Sequence, residues 1–484
     1  MNYKMISKII SFLLLLECGL MVPSICISLY GNDLEVTIAF LKTIIIIAIV
    51  AGILWLYGRN AESKFYAREG LVTTGVSWIV MSLLGCLPFY LSGQIPSYVD
   101  SLFEIVSGFT TTGSSILTDV EALSKGLLFW RSFTHWVGGM GVLVFLMAIV
   151  PLSGKNDGFT LHILRAESPG PSVGKLVPRM KKTASILYWI YIGLTFIDLV
   201  LLLVGGMPLF DAICTAFGTA GTGGFGIKAD SMASYSPYLQ NVTTIFMFLF
   251  GINFSCYYLL LIGRIKEVFH DEELRYYILI VVASIVLISI NIRSMYPTLE
   301  ETVRHAAFQV STIISTTGFA TTDFNLWPAF SKAILLFLML LGACAGSTGG
   351  GFKVSRLVLL VKSLRRNIHE NLHPNEVRKI RVNGVTVDEK IIRTLNGYVM
   401  AYALIIIISY IIVALDGFDV ETNLSAIFAT FNNIGPGFNV CGPSASFASF
   451  SALSKLVMIG DMLAGRLEIF PILVLFSKST WKRK

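Results

Sequence analysis

Four short runs of Gly, Thr and Asn are the segments whose residue types and spacing could do chemistry. They are Ser107-Gly108-Phe109-Thr110-Thr111-Thr112-Gly113, Phe217-Gly218-Thr219-Ala220-Gly221-Thr222-Gly223, Thr312-Ile313-Ile314-Ser315-Thr316-Thr317-Gly318 and Ala429-Thr430-Phe431-Asn432-Asn433-Ile434-Gly435. Aligned on the last Gly, they stand 110, 95 and 117 residues apart. Glycine lets successive carbonyls turn to one side, and rings of carbonyl and hydroxyl oxygens can replace an ion's hydration shell. The candidate ion ligands are therefore Thr111, Thr112, Gly113, Gly221, Thr222, Gly223, Thr316, Thr317, Gly318, Asn433, Ile434 and Gly435, chiefly through backbone oxygens. Hard oxygen donors without a carboxylate inside the runs suit a monovalent cation rather than Ca2+. Gly/Thr runs also serve as passive helix-packing patches, but four copies in the same place argue against that.

The elements that must position these runs follow from composition. The 484-residue chain is 54% hydrophobic and 14% charged, with a mean hydropathy of +0.72. A soluble domain carries about 25% charged residues, so a cytosolic enzyme, a disordered scaffold and a nucleic-acid binder are excluded. Apolar runs of spanning length, about 20 residues, lie near 7–29, 35–57, 71–91, 126–152, 184–205, 237–262, 275–293, 329–345, 394–415 and 449–477. The first is long, contains Glu17 and lacks a small-x-small cleavage pattern, so it reads as a retained anchor. Each polar run ends a segment too short to cross the membrane and sits between two spans. Irregular backbone survives at that depth only where it lines a cavity or is buried in protein. The predicted fold is an all-α integral membrane protein: a two-helix leader plus four helix–pore loop–helix repeats around a single central pore. Its units are a leader at 1–58 and repeats at 68–152, 183–262, 275–364 and 392–484.

Charge gives the orientation. Of the 37 basic residues, 28 fall on one side of the ten spans, giving that side a net +16 and the other −7. The positive-inside rule then places both termini in the cytoplasm, and the basic net charge reports topology rather than a nucleic-acid partner. Acidic residues at the starts of the short helices (Asp100, Asp211, Glu300, Glu301, Glu421) suit helix N-termini at the outer water. The negative helix ends then face the centre and favour a cation. The seven cysteines are scattered, with no CxxC pair.

Three further constellations stand out. Gly346-Ser347-Thr348-Gly349-Gly350-Gly351 interrupts an apolar run; Phe352 precedes Lys353, so it is no phosphate-binding loop. It reads as a helix break, either a passive kink or a mobile gate. Arg466 lies in the last span, where a charge costs about 2.5–3.5 kcal/mol unless it meets water or a partner. Asp461 and Glu468 are poorly spaced to pair with it along one helix, leaving a cavity barrier or a cross-span ion pair, for example to Asp198. His369-Glu370-Asn371-Leu372-His373 fits the HExxH pattern, yet Pro374 follows at once and no well-placed third ligand is evident, although Asp388 and Glu389 lie downstream. The segment 353–393 reads better as a basic surface facing lipid headgroups or a cytosolic partner.

Taken over nearly the full length, the motifs resemble those of the Trk/Ktr superfamily of potassium uptake systems, most closely its TrkH branch. They are Gly108-Phe109-Thr110-Thr111-Thr112-Gly113, His135-Trp136-Val137-Gly138-Gly139-Met140-Gly141, Thr222-Gly223-Gly224-Phe225, Ser315-Thr316-Thr317-Gly318-Phe319, Ala345 to Gly351, Asn432-Asn433-Ile434-Gly435-Pro436-Gly437 and Gly465-Arg466-Leu467-Glu468. The resemblance implies a potassium-selective filter made by the four runs, in a non-enzymatic inner-membrane transporter. It further implies a gate formed by Gly346, Ser347, Thr348, Gly349, Gly350 and Gly351 with Arg466. The family expectation includes a homodimer controlled by a TrkA-like cytosolic ring that binds ATP/ADP or an NAD-type ligand, transport by channel-like flux or symport, and no covalent cofactor, with the potassium ion as substrate. The alternatives are a sodium-permeable or sodium-coupled carrier, an assembly subunit without flux, and an intramembrane zinc protease. Purified protein is expected to contain far less than one zinc per chain by elemental analysis; a value near one would overturn the reading of the His369–His373 segment.

Overall fold

The computed structural model describes residues 1–62, 66–141, 180–376 and 378–481. Among these, six helices are long and apolar enough to cross a membrane: Tyr3–Tyr30, Leu34–Gly58, Ala67–Leu91, Ser185–Val204, Glu272–Met295 and Glu389–Asp416. The protein is thus an all-α, multi-pass membrane protein; among the described residues the only strands are the two-residue pair Arg381–Val382 and Val385–Thr386. The inner part of the expected 126–152 span, from 142, lies outside the described residues, as does the basic segment after it to 179.

The first two helices form a hairpin turned at Gly31-Asn32-Asp33. Asn32 adopts φ +56°, and the Asp33 carboxylate accepts the Val36 N–H at 3.3 Å to cap the second helix. Gly58 ends that helix against the start of the first: a Cβ there would stand 2.7 Å from the Lys4 carbonyl and 2.8 Å from the Lys8 amide. Trp130 fastens this leader to the Ala67–Leu91 helix and to the first polar run. Its ring packs edge-on against Phe40 and Phe109, at 6.4 and 6.0 Å between centroids, and its N–H donates to Gly85 O at 3.1 Å.

Four short helices, Tyr98–Phe109, Leu209–Gly221, Leu299–Ile314 and Val420–Phe431, carry the polar runs at their C-terminal ends. Three of them are capped by side chains, Ser97, Thr298 and Asp419. Each has an acidic residue in its first turn, as their N-terminal dipoles favour.

The helices after the second and fourth polar runs differ from the continuous spans read at 237–262 and 449–477, since both are broken, while the one after the third is interrupted as its glycines predict. Pro237–Phe250 and Phe254–Leu261 meet at 91°. At that corner Gly251 makes room for the Tyr277 hydroxyl, and Asn253 caps the second piece by accepting the Ser255 N–H at 2.9 Å. Ala329–Leu340 gives way to an irregular loop before Val354–Leu372 resumes, and Ala452–Arg466 stops before Phe470–Phe476 can start. Glu468 and Ile469 at that stop take φ +56° and +70°; for β-branched Ile469 this is a strained conformation. Apolar composition reports burial in lipid or protein and is blind to whether the backbone hydrogen bonds continue, which is why hydropathy does not register these breaks. Replacing Gly58 by Val is expected to lower stability by about 1–3 kcal/mol through overpacking, read as a lower melting temperature of the detergent-solubilised protein.

Candidate functional site

All four short helices end in one local geometry. Thr111, Thr222, Thr316 and Asn433 are left-handed, with φ of 55°, 54°, 59° and 55°. The N–H of the next residue reaches back five positions in every copy: Thr112 to Ser107 O, Gly223 to Gly218 O, Thr317 to Thr312 O and Ile434 to Ala429 O, each 2.8 Å. This is the Schellman pattern, which satisfies the last helical carbonyls and turns the chain out of the helix. A left-handed Thr costs of order 1–3 kcal/mol and persists only where its surroundings hold it. The third residue of each turn is a Gly at positive φ: Gly113 (82°), Gly224 (69°), Gly318 (97°) and Gly435 (107°).

This register corrects the sequence alignment in one copy. Gly224, not Gly223, matches Gly113, Gly318 and Gly435, and Gly221 closes its short helix instead of joining the turn. Two adjacent glycines leave the choice open to a Gly-anchored alignment. The pairs Gly224-Phe225 and Gly318-Phe319 carry the correct register.

The turns form a closed ring. A Cβ on Gly113 would overlap the Gly223 carbonyl of the second copy, one on Gly224 the Thr317 carbonyl of the third, and one on Gly318 the Ile434 carbonyl of the fourth. One on Gly435 would stand 3.0 Å from the Thr112 carbonyl of the first. Asn433 Nδ2 donates across the closing joint to Thr112 Oγ1 at 2.8 Å. A second set of contacts runs in the same order where the short helices begin. Lys125 lies 6.0 Å from the Phe210 ring, Arg304 bonds Gln240, and Lys332 pairs with Glu421 at 2.9 Å. Lys455 closes the circuit with Asp100 at 2.7 Å. Beyond the ring, one cavity of about 310 Å3 touches Gly113, Gly224, Gly318 and Gly435 together. Four helix C-terminal ends converging on one point present negative partial charge to it.

The Gly-rich loop lies against the residues that enter the turns. Gly350 N–H donates to Thr316 Oγ1 at 2.8 Å, and Gly349 and Gly350 sit so close to Ser315 and Asn433 that neither has room for a side chain. Gly346 O accepts the Phe254 N–H at 3.0 Å, Ser347 Oγ donates to Cys344 O at 2.7 Å, and Gly351 adopts φ +68° beside Gly342. Arg466 donates to Thr348 O at 2.6 Å, to Gly139 O at 2.7 Å and to Gly138 O. It thus joins the loop to the end of the Lys125–Gly139 helix through carbonyls, partners that side-chain spacing could not reveal. Asp461 instead accepts from Ser409 at 2.8 Å, and Glu468 pairs with Arg356, which also lies over the Tyr398 ring at 4.0 Å. Sequence reasoning misses Lys353: its ammonium donates to Gly350 O at 3.0 Å and to Gly349 O. The signal is present, a Lys two residues after three glycines at the end of an apolar run. Away from the ring, His369 Nε2 meets Glu376 Oε2 at 2.8 Å, with the His369 and His373 rings 4.9 Å apart.

Sequence reasoning also misses a buried network behind the first two turns. Arg131, 2% exposed, pairs with fully buried Glu104 at 2.5 Å, donates to Gly226 O at 2.8 Å and stacks 3.5 Å from the Phe225 ring centre. Glu104 in turn accepts the Ile116 N–H at 3.0 Å. His135 Nδ1 lies 2.9 Å from Gly108 O, and its ring stands where a side chain on Gly223 would go. Two opposite charges 27 residues apart in apolar surroundings are the available signal.

Comparison with known proteins places this geometry. A model of the TrkH family, described as cation transport protein, matches residues 37–483. The chain belongs to this family. It is 35% identical to the Trk system potassium uptake protein TrkH of Salmonella typhimurium and 34% identical to that of Halomonas elongata, over all of both chains in each case. It is also similar to the crystal structure of the potassium transporter TrkH from Vibrio parahaemolyticus, with a TM-score of 0.89 and 31% identity over the whole of both chains. Within this family fold, Arg131→Met should destabilise the protein by about 3–5 kcal/mol by stranding the Glu104 charge. The double variant Arg131→Met/Glu104→Met should recover much of that loss in thermal melts.

Proposed function

We propose that the chain takes up potassium across the cytoplasmic membrane through the ring of turns at 111–113, 222–224, 316–318 and 433–435. The observation that carries this reading is the closed circuit of four like turns, each glycine against the next copy's carbonyl. Backbone oxygens crowded around one axis stand in for the water a monovalent cation sheds, and the converging helix ends offset its charge. The names of the relatives, Trk system potassium uptake proteins, support the same ion and a system of several components.

In this reading the cavity of about 310 Å3 is the outer entrance. The loop Gly346–Gly351 is the gate beneath the filter, held by Lys353 and by Arg466. The Arg466 charge opposes a cation in the space below, and releasing its three carbonyl bonds would free the loop and move the barrier together. The basic surface over 353–393 is the site for a cytosolic regulatory partner, a TrkA-like nucleotide-binding ring, on a homodimer in the inner membrane with both termini cytoplasmic.

Gly113→Val and Gly318→Val are expected to abolish the preference for rubidium over sodium in flux measurements on reconstituted protein. They should also fail to restore growth of potassium-uptake-deficient cells at low potassium. Unchanged selectivity would overturn the filter assignment, and a wild-type preference for sodium would favour a sodium carrier. Arg466→Ala is expected to raise basal rubidium leak several-fold in the absence of any cytosolic partner.

A further inference from the structure

The cavity over the ring is unusual for a cation entrance: among the described residues that line it, the charged ones are Arg131 and Lys228, and no carboxylate is present. Arg131 is neutralised from behind by Glu104. Lys228 is in a different situation. Its ammonium rests 4.2 Å from the centre of the Tyr235 ring and 3.3 Å from Ser234 Oγ, an aromatic face and a neutral hydroxyl that hold a cation without cancelling its charge. The nearby acids bond its neighbours and not the ammonium, softening its field without pairing with it: Asp230 accepts from Ser234, Asp211 from the Tyr235 hydroxyl at 2.8 Å, and Glu121 from the Ala229 amide at 3.2 Å. The backbone that carries Lys228 is tied to the third copy, with Met232 N–H donating to Ala320 O at 2.9 Å and the Ala320 N–H to Ser231 Oγ at 3.2 Å. A positive charge is therefore stationed at the rim by a rigid loop.

We propose that Lys228 sets the apparent affinity of uptake, its fixed charge lowering the cation concentration at the mouth of the filter. The inference rests on reading the cavity as the ion entrance. It makes Lys228 a positioning residue acting through the field, with no contact to the ion. For a separation on the order of 8 Å through water, Coulomb repulsion amounts to about a two-fold depletion at low salt. A Debye length of about 3 Å at 1 M salt removes it.

The test uses full-length protein in liposomes and measures rubidium influx against external rubidium, with an impermeant organic cation salt setting the ionic strength. At about 10 mM salt, where screening reaches about 30 Å, Lys228→Gln should lower the half-saturating concentration about two-fold and Lys228→Glu further still. Lys228→Arg should match the wild type. Maximal flux should be unchanged in all three, and the differences should vanish near 1 M salt. A wild-type half-saturation in Lys228→Gln at low salt, or a shift of equal size at both salt concentrations, would overturn the proposal. If Gly113→Val abolishes selectivity in the same liposomes while Lys228→Gln changes nothing, only the role of Lys228 fails. If Gly113→Val leaves selectivity intact, the entrance reading fails with it.

Discussion

Every backbone amide and carbonyl at membrane depth must find a partner or face a water-filled space, and the structure is organised around that requirement. A short helix that stops at the centre exposes its last carbonyls. The Schellman turns at Thr111, Thr222, Thr316 and Asn433 recapture part of them with one 2.8 Å bond per copy. The carbonyls just past the helices, of Thr112, Gly223, Thr317 and Ile434, each lie against a glycine of a neighbouring copy. Contacts this close, carbonyl against α-carbon, admit no side chain, so the four glycine positions are set by their neighbours as much as by their own φ angles.

The same requirement explains where the scarce buried charges lie. The break after Leu340 frees carbonyls at Thr348, Gly349 and Gly350, and Arg466 and Lys353 donate to them. It also frees the amides of Ala345 and Ser355, which the Glu273 carboxylate accepts at 2.6 and 2.9 Å. Cations on carbonyls and an anion on amides replace the helical ladder across the interruption. Such bonds are stronger than neutral ones, yet each can be exchanged for water, whereas a continuous helix has no alternative partner for its groups. A loop held this way can be stable and still able to move.

Much of this is legible in the residues alone. The helix-ending polar runs, the acidic starts of the short helices and the interruption at Gly346–Gly351 all depend on local residue type, and the structure has each of them at those residues. The one-residue slip in the second copy, Gly223 against Gly224, arises because identity alone cannot tell which of two glycines takes the positive φ. The breaks at Gly251 and Leu467–Ile469 are invisible to hydropathy, which does not register the Tyr277 hydroxyl or the Arg356–Glu468 pair that accompany them.

The amino-acid sequence by itself determined the solvent, the all-helical class and the oxygen-rich composition of the runs, since burial, helix caps and glycine's conformational freedom act over a few neighbouring residues. Only the tertiary structure decided which carbonyl meets which glycine, that Arg466 reaches Gly138, Gly139 and Thr348, that Arg131 finds Glu104, and that Lys228 stands at the mouth of the cavity. Those pairings join residues up to 328 positions apart. They exist because four units pack in cyclic order, and no spacing along one unit encodes what the next one presents.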